Sequence, residues 1–202
     1  MSEIKIIALF GESSAGKDTM VNKILEIDKG KDLHKIISCT TRPPRDYEKD
    51  GEDYHFLTPK QFLIQTLDGR MLEATQFREW YYGTSLESLD PDKINLGVFN
   101  ISGIANLILS DQSLCVYPVY VKTDSKTRLL RSLNREDNPD CTEICRRFLT
   151  DKKDFEWVHN KSIKPLFEYN VTNSAAYKNL YHRIIKADLE CVRHISNPTL
   201  LD

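Results

Sequence analysis

The sequence predicts an α/β fold in which helices flank a parallel sheet of five strands. The first observation is that apolar runs of strand length alternate with helix-period segments along the 202 residues. The second is a glycine turn that joins the first apolar run directly to the first helix. Strands are predicted at residues 4–10, 35–40, 98–101, 116–121 and 167–172, and helices at 16–27, 104–109, 125–133, 142–158 and 175–192.

Two segments interrupt this alternation and are expected to lie outside the main sheet. Residues 42–84 are polar and rich in aromatic side chains, and they carry short strand patterns such as YHFLT and RMLEATQF. Residues 134–141 are a charged segment with a proline between two helices that both carry arginines. The first segment is therefore predicted to be an insert, and the second a loop between two cationic helices.

The near-neutral charge of the chain argues against nucleic acid and membranes as partners. The chain has 28 Lys plus Arg and 30 Asp plus Glu, so no broadly basic surface for nucleic acid or membrane is expected. The N-terminal apolar run is too short for a membrane span or a secretory leader, and the five cysteines are an odd number. Reduced thiols and a cytoplasmic location are therefore predicted.

The strongest local signal is the segment GESSAGKDT, which lies between an apolar strand and an amphipathic helix. This is the context and spacing of a P-loop, whose backbone amides converge on nucleotide phosphates at a helix N-terminus. Lys17 can bridge the β and γ phosphates. A glycine turn without a ligand is the alternative, which the match in both spacing and context disfavours. The predicted ATP-binding residues here are Gly11, Ser13, Ser14, Ala15, Gly16, Lys17, Asp18 and Thr19.

The insert carries residue types that bind a second phosphate group. Arg42 and Arg45 are three residues apart on a loop stiffened by prolines, which suits forked contacts with phosphate oxygens. Tyr54 and Tyr82 can add neutral hydroxyl donors, and Glu48 can brace the arginines. A nucleoside monophosphate presents a dianion that these residues could bind. Arg42 and Arg45 alone would be ordinary surface charge, and it is their place in the whole pattern of the insert that favours phosphate binding.

Several segments of the insert match one family in its order and spacing. SCTTRPPRDYE, DGEDYHF, LEA and YYGT closely resemble the nucleotide-acceptor region of guanylate kinases, and with the P-loop and later arginines the resemblance covers nearly the whole chain. It implies transfer of a phosphoryl group from MgATP to GMP or dGMP on a P-loop kinase fold. Guanine offers donors at N1 and N2, which a carboxylate can accept, and a carbonyl at O6. The resemblance puts Glu73 in the first role, and Ser38 and Thr84 in the second.

A cationic helix face follows the strand predicted at 116–121. Arg128, Arg131 and Arg135 recur at steps of three and four residues, so they share one face. In related kinases the equivalent segment is a lid that closes on ATP, and the resemblance places Arg131, Arg135 and Arg147 in that role. Such cations would offset repulsion between two polyanions. Arg128 is instead expected to lie on a solvated helix face.

Two smaller assignments also follow from the resemblance. Arg147 is preferred to Arg146 as the third lid arginine because it precedes the apolar Phe148. Asn173, in the stretch VTNS, matches a family position beside the adenine of ATP.

The chain departs from the family at the positions that surround Mg²⁺. Guanylate kinases usually carry an Asp-x-Asp pair on the strand after the insert, where this chain has Val98 and Asn100. In the P-loop, Asp18 stands where a Ser or Thr hydroxyl would bind the ion. The hypothesis is that Asp18 restores the missing charge and binds Mg²⁺ directly or through water. The opposing interpretation is a degraded catalyst that binds nucleotides poorly.

These inferences define an expected organisation. The core is expected at 1–37, 85–124 and 151–202, the GMP-binding insert at 38–84 and the lid at 125–150, in a monomer or a homodimer. The predicted catalytic residues are Lys17, Arg42, Arg131, Arg135 and Arg147. Two rivals stay open: a kinase for another nucleoside monophosphate or small phosphate, and a guanylate-kinase-like module whose insert holds a phosphorylated peptide.

Overall fold

A computed structural model describes the chain over residues 3–77, 79–110, 113–135, 137–156, 167–170 and 174–186. The strands in these ranges are β1 (Ile4–Phe10), β2 (Leu33–Lys35), β3 (Cys39–Thr40), β4 (His55–Phe56), β5 (Met71–Phe77), β6 (Trp80–Ser85), β7 (Ile94–Val98), β8 (Leu114–Lys122) and β9 (Phe167–Asn170). The helices are α1 (Lys17–Asp28), α2 (Pro59–Leu67), α3 (Ile101–Leu109), α4 (Ser125–Leu133), α5 (Cys141–Asp154) and α6 (Ser174–Ile185), and Leu86–Ser88 is a 3-10 helix.

The main sheet has five strands in the order β2-β7-β1-β8-β9. The pairs β2–β7 and β8–β9 are parallel. The central strand β1 is buried from Ile6 to Phe10, which is the pattern of a strand covered on both faces. The prediction of an α/β fold with a parallel five-stranded sheet flanked by helices is confirmed.

A second sheet forms within the segment predicted as an insert, with strand order β4-β3-β6-β5. Its longest pairing is the antiparallel hairpin of β5 and β6, in which Glu73 lies opposite Thr84. Helix α2 starts at a capping box, because the Thr58 side chain accepts from the Gln61 backbone while the Gln61 side chain accepts from the Thr58 backbone. The insert therefore has regular structure of its own that supports the β5–β6 pair.

Two predicted strands were wrong in extent. The strand predicted at 35–40 is two short strands, β2 in the main sheet and β3 in the second, because an apolar run does not specify which partner it pairs with. Of the strand predicted at 98–101, only Val98 is in a strand, because β7 ends there and α3 begins at Ile101. Asn100 causes this change, since its side-chain oxygen accepts from the Gly103 backbone amide at 2.6 Å and caps the helix.

The thiol prediction also needs one correction. Cys39, Cys141 and Cys145 are free thiols, as expected. Cys115 is disulfide-bonded, and sequence spacing alone does not reveal such a pairing.

The chain divides into two compact units. Unit 1 comprises Met1–Ala8, Gly30–Tyr117 and Cys191–Asp202, and it contains the second sheet with α2 and α3. Unit 2 comprises Leu9–Lys29 and Pro118–Glu190, and it contains the glycine turn after β1 together with α1, α4, α5 and α6. Among the described residues, no helix combines the length and apolar character needed to cross a bilayer.

Candidate functional site

The phosphate loop, residues 11–16, joins β1 to α1 in unit 2. A side-chain carbon added at Gly11 would lie 2.5 Å from the carbonyl oxygen of Val121, so only glycine fits there. Gly16 has a φ of 97°, in the range that favours glycine, and Ser14 is left-handed with a φ of 59°. This turn directs backbone amides towards the N-terminus of α1, where the helix dipole favours an anion.

Lys17 lies within the loop rather than in solvent. Its ammonium donates to the carbonyl oxygens of Gly11 at 2.8 Å and Glu12 at 3.0 Å. Burial lowers the pKa of Lys17, and the neighbouring Asp18 carboxylate partly opposes that shift. A glycine-shaped loop with a lysine at the N-terminus of a helix is an arrangement that fits nucleotide phosphates.

A buried network of ion pairs and hydrogen bonds connects the phosphate loop to α4 and α5. Glu12 is 3% exposed, and its carboxylate lies 3.2 Å from the Arg128 guanidinium and accepts from the Tyr120 hydroxyl at 2.8 Å. The Asp151 carboxylate accepts from the Ser13 backbone amide at 2.7 Å and lies 3.5 Å from the same guanidinium. Burial raises the pKa of Asp151, which the Ser13 hydrogen bonds oppose.

The expectation that Arg128 lies on a solvated helix face was wrong. Arg128 is 3% exposed, and its guanidinium stacks over the Phe148 ring at 5.1 Å. The helix spacing predicted correctly that it shares a face with Arg131, but that face turns towards Glu12. The partner carboxylate is far away in the sequence, so the spacing could not reveal it.

The predicted lid arginines occupy two different surroundings. Arg131 donates to the carbonyl oxygens of Ala15 at 3.2 Å and Ser14 at 3.4 Å, and Arg135 donates to the Ser14 hydroxyl at 3.3 Å. Both arginines therefore lie against the phosphate loop.

Arg147, the third predicted lid arginine, lies on α5 away from these contacts. Its guanidinium donates to Glu143 at 2.6 Å, and Arg146 donates to the same carboxylate at 2.8 Å. Both arginines therefore share one acidic partner, and this geometry does not separate them.

In unit 1, the residues of the insert that are predicted to bind phosphate lie around Glu48. The Glu48 side chain is 5% exposed and lies 2.8 Å from the Arg42 guanidinium and 3.1 Å from that of Arg45. The Arg42 guanidinium also lies 5.6 Å from the centre of the Tyr54 ring. The centres of the Tyr54 and Tyr82 rings are 6.4 Å apart in an edge-to-face arrangement. The structure thus brings both arginines and both tyrosines into one cluster.

A buried carboxylate and hydroxyl face each other on the β5–β6 pair. Glu73 is 8% exposed and Thr84 is fully buried, and the Thr84 hydroxyl donates to the Glu73 carboxylate at 2.9 Å. Burial raises the pKa of Glu73 to about 7, and the Thr84 hydrogen bond opposes that shift. Ser38 is half-buried and directly precedes Cys39, which pairs with Gly83 beside Thr84.

Few side chains at the positions that are expected to surround Mg²⁺ could bind the ion. Asn100 is committed to structure, because its oxygen caps α3 and its amide donates to the Thr75 hydroxyl at 2.9 Å. Within the described part of the chain, no group of three or more carboxylate, histidine or cysteine side chains could hold a metal ion. Asp18 is exposed on the first turn of α1. A site with one carboxylate fits Mg²⁺ only where nucleotide phosphates and water complete its coordination.

Some residues of these clusters had no signal in the sequence, and one predicted residue is not described. Asp151 and Glu143 bind the predicted site residues Ser13 and Arg147, and Glu12 binds Arg128. Single carboxylates could not be distinguished from surface charge in the sequence. Asn173 lies outside the described residues, so its predicted place beside adenine stays a prediction.

Comparison with known proteins places this chain in a family of nucleotide kinases. The family model described as Guanylate kinase matches residues 3–183. The guanylate kinase of Campylobacter jejuni (strain RM1221) is 30% identical over 148 residues, which cover 70% of each protein. The chain therefore belongs to the guanylate kinase family.

Other matches differ in coverage. The guanylate kinase of Prochlorococcus marinus (strain MIT 9312) is 42% identical over 93 residues, and the chain spans about half (49%) of that relative's length. Protein PALS1 of Danio rerio is 26% identical over 195 residues, covering 91% of this chain and 27% of that protein. A guanylate kinase structure from Anaplasma phagocytophilum shares the fold, with a TM-score of 0.64 at 21% sequence identity. The match covers 93% of this chain and 87% of that one.

The Glu12–Arg128 pair predicts a large effect on stability. Arg128→Met should lower the free energy of unfolding by about 3–5 kcal/mol, because it leaves the Glu12 carboxylate buried without its cation. Urea denaturation measures this change, and Lys126→Met on the exposed side of α4 is the matched control. A loss below about 1 kcal/mol, as for a surface ion pair, would contradict the buried network.

Glu73 predicts a pH-dependent stability difference. Its pKa rises from 4.5 in the unfolded chain to about 7 in the fold, so its contribution is complete below pH 4.5 and is lost as pH rises through 7. Glu73→Gln should therefore gain roughly 3 kcal/mol relative to the unaltered protein between acid and neutral pH. Denaturant unfolding at a series of pH values tests this, with the exposed Glu79→Gln as the charge control. Parallel curves for Glu73→Gln and the unaltered protein would rule out the raised pKa.

Proposed function

We propose that this protein transfers the terminal phosphoryl group of MgATP to GMP or dGMP, giving ADP and GDP or dGDP. The phosphate loop would hold the donor, and the insert would hold the acceptor. Family membership supports the kinase class, whereas the nucleotides are part of the proposal.

The buried Glu73–Thr84 pair is the observation that carries the choice of acceptor. A carboxylate that is 8% exposed is costly to ionise unless donors meet it, and Thr84 supplies only one. Guanine N1–H and N2–H are two adjacent donors of the right kind, whereas adenine and the pyrimidines do not present that pair to one carboxylate. The half-buried Ser38 hydroxyl would donate to O6, and the Thr84 hydroxyl would have to turn its one hydrogen away from Glu73 to join it.

The cations described above would serve the transfer itself. Arg42 and Arg45 would bind the acceptor phosphate, held in place by Glu48. Lys17, Arg131 and the third lid arginine, Arg147, would offset the negative charge of the donor phosphates and of the transferring group. Arg147 would have to leave Glu143 to do so. The protein would contribute positioning and electrostatics, with no covalent intermediate.

We also propose the division of labour along the chain that the sequence predicts. The core would comprise 1–37, 85–124 and 151–202, the GMP-binding insert 38–84, and the lid 125–150. In this arrangement Asp18 is the one protein carboxylate at the phosphate loop proposed to hold Mg²⁺, together with nucleotide oxygens.

A guanylate-kinase-like binding module with little catalysis is the second candidate. The observation that favours it is Asn100, whose side chain caps α3 and binds Thr75 where the family usually has a metal-binding acid. The similarity to protein PALS1, whose name states no kinase activity, points the same way. The P-loop and the arginines beside it count against this candidate, because a phosphopeptide needs neither. Release of ADP in a coupled assay separates the two.

The proposed acceptor predicts strong discrimination among nucleotides. Adenine would turn an acceptor nitrogen at N1 towards the Glu73 carboxylate, so AMP should be used roughly 10⁴-fold less efficiently than GMP. Coupled assays of ADP release with GMP, dGMP, AMP, CMP and UMP measure the preference. Glu73→Gln should erode it, whereas the exposed Glu79→Gln should keep it. Equal efficiency with AMP and GMP in the unaltered protein would refute the guanine assignment.

The proposed magnesium role of Asp18 predicts an ordered series of rates. Asp18→Ala should remove most Mg²⁺-dependent transfer while GMP binding persists, and Asp18→Ser should recover only part of it. Adding Asn100→Asp to Asp18→Ser should recover more than Asn100→Asp adds alone, since two groups would serve one ion. Titration of Mg²⁺ against rate tests the series, and Glu26→Ala removes a carboxylate elsewhere on α1 as the control. Asp18→Ala with an unaltered Mg²⁺ titration would end the hypothesis.

A further inference from the structure

The proposed function does not use Asp151, although its carboxylate lies at the phosphate loop. The Ser13 backbone amide donates to Asp151 at 2.7 Å, and this amide belongs to the loop that is expected to hold phosphate. The Asp151 side chain is 15% exposed, so the contact lies at the rim of unit 2 rather than in its core. Asp151 comes from α5, far from the loop in the sequence.

A carboxylate on a loop amide makes the same kind of interaction as a phosphate oxygen. Both are anions that accept charge-assisted hydrogen bonds from backbone N–H groups. Lys17 and Arg128 add positive charge to the surroundings of Asp151, as they would for a phosphate. Phosphate in the loop and Asp151 on Ser13 would place two anions side by side in a partly buried site, where repulsion is strong.

We propose that Asp151 is an internal competitor for the donor phosphates and thereby sets the affinity of the phosphate loop. This inference rests on the proposed function, because it takes the loop as the donor site. In the free protein, the Asp151 carboxylate accepts the hydrogen bond from the Ser13 backbone amide. When polyphosphate binds, Asp151 leaves Ser13, while Arg128 keeps its stronger contact with the more deeply buried Glu12.

Competition has a quantitative signature. If the Ser13 amide is free of Asp151 in only a fraction of the unliganded protein, every polyphosphate ligand binds more weakly by that same fraction than it would to a loop without Asp151. Replacing a charged acceptor by a neutral one weakens the bond to Ser13 enough to raise affinity by roughly tenfold. General repulsion behaves differently, because its effect grows with the charge of the ligand and falls with salt.

The experiment compares Asp151→Asn and Asp151→Ala with Asp154→Asn, which removes the same charge from an exposed position of α5. Calorimetry without Mg²⁺ measures the binding of ADP, ATP and inorganic tripolyphosphate to each folded variant, with adenosine as the ligand that lacks phosphate. Circular dichroism confirms that each variant is folded. Relative to Asp154→Asn, both Asp151 variants should bind all three polyphosphates about tenfold more tightly and adenosine equally.

The outcomes distinguish failure of the inference from failure of the proposed function. Unchanged or weaker polyphosphate binding by the Asp151 variants would make Asp151 a brace for the loop. A gain that rises from ADP to ATP and matches Asp154→Asn would indicate general electrostatics. If no variant and no unaltered protein binds polyphosphate, the proposed donor site fails and the inference fails with it. Binding only by the Asp151 variants supports the inference and counts against the unaltered protein as a kinase.

A measurement on the unaltered protein covers the case in which the variants do not fold. Carbon-13 NMR can follow the Asp151 carboxyl carbon while nitrogen-15 NMR follows the Ser13 amide during titration with ATP. Both signals should shift with one midpoint, since Asp151 leaves as phosphate arrives. An Asp151 signal that stays unchanged at saturating ATP would overturn the inference.

Discussion

The ion pair between Glu12 and Arg128 is the interaction on which the phosphate loop depends. Both side chains are 3–4% exposed, so removing either one would leave the other charge buried without its counter-charge. The pair anchors α4 to the loop, and this anchoring brings Arg131 and Arg135 against Ser14 and Ala15. Arg128 therefore helps to position Arg131, which is on the same helix, and Arg135, which follows the end of that helix.

In the insert, too, a buried carboxylate holds arginine side chains in place. Glu48, 5% exposed, holds Arg42 and Arg45, as Glu12 holds Arg128. A cluster of cations that waits for a dianion must be kept in place while the ligand is absent, and a buried carboxylate does so at a cost in desolvation. Each region that is proposed to bind phosphate thus contains its own buried acid, and at the phosphate loop a second acid, Asp151, accepts from the Ser13 amide.

Sequence reasoning recovered what depends on local pattern and missed what depends on distant partners. The alternation of strands and helices predicted the main sheet, and α4 has the predicted bounds of Ser125–Leu133. The clustering of Arg42 with Tyr54 and Tyr82 follows the family pattern. The burial of Arg128 could not be predicted, since it depends on a carboxylate more than a hundred residues earlier. The strand predicted at 98–101 failed because four residues cannot distinguish a strand end from a helix cap at Asn100.

NMR titration of the Glu73 carboxyl carbon tests most directly the proposal that this buried carboxylate recognises guanine. In the free protein the pKa should be about 7. Two guanine N–H donors favour the ionised form, so saturating GMP should lower this pKa, whereas saturating AMP should not. A Glu73 pKa that is the same with and without GMP would contradict the account, whatever the rate of phosphoryl transfer.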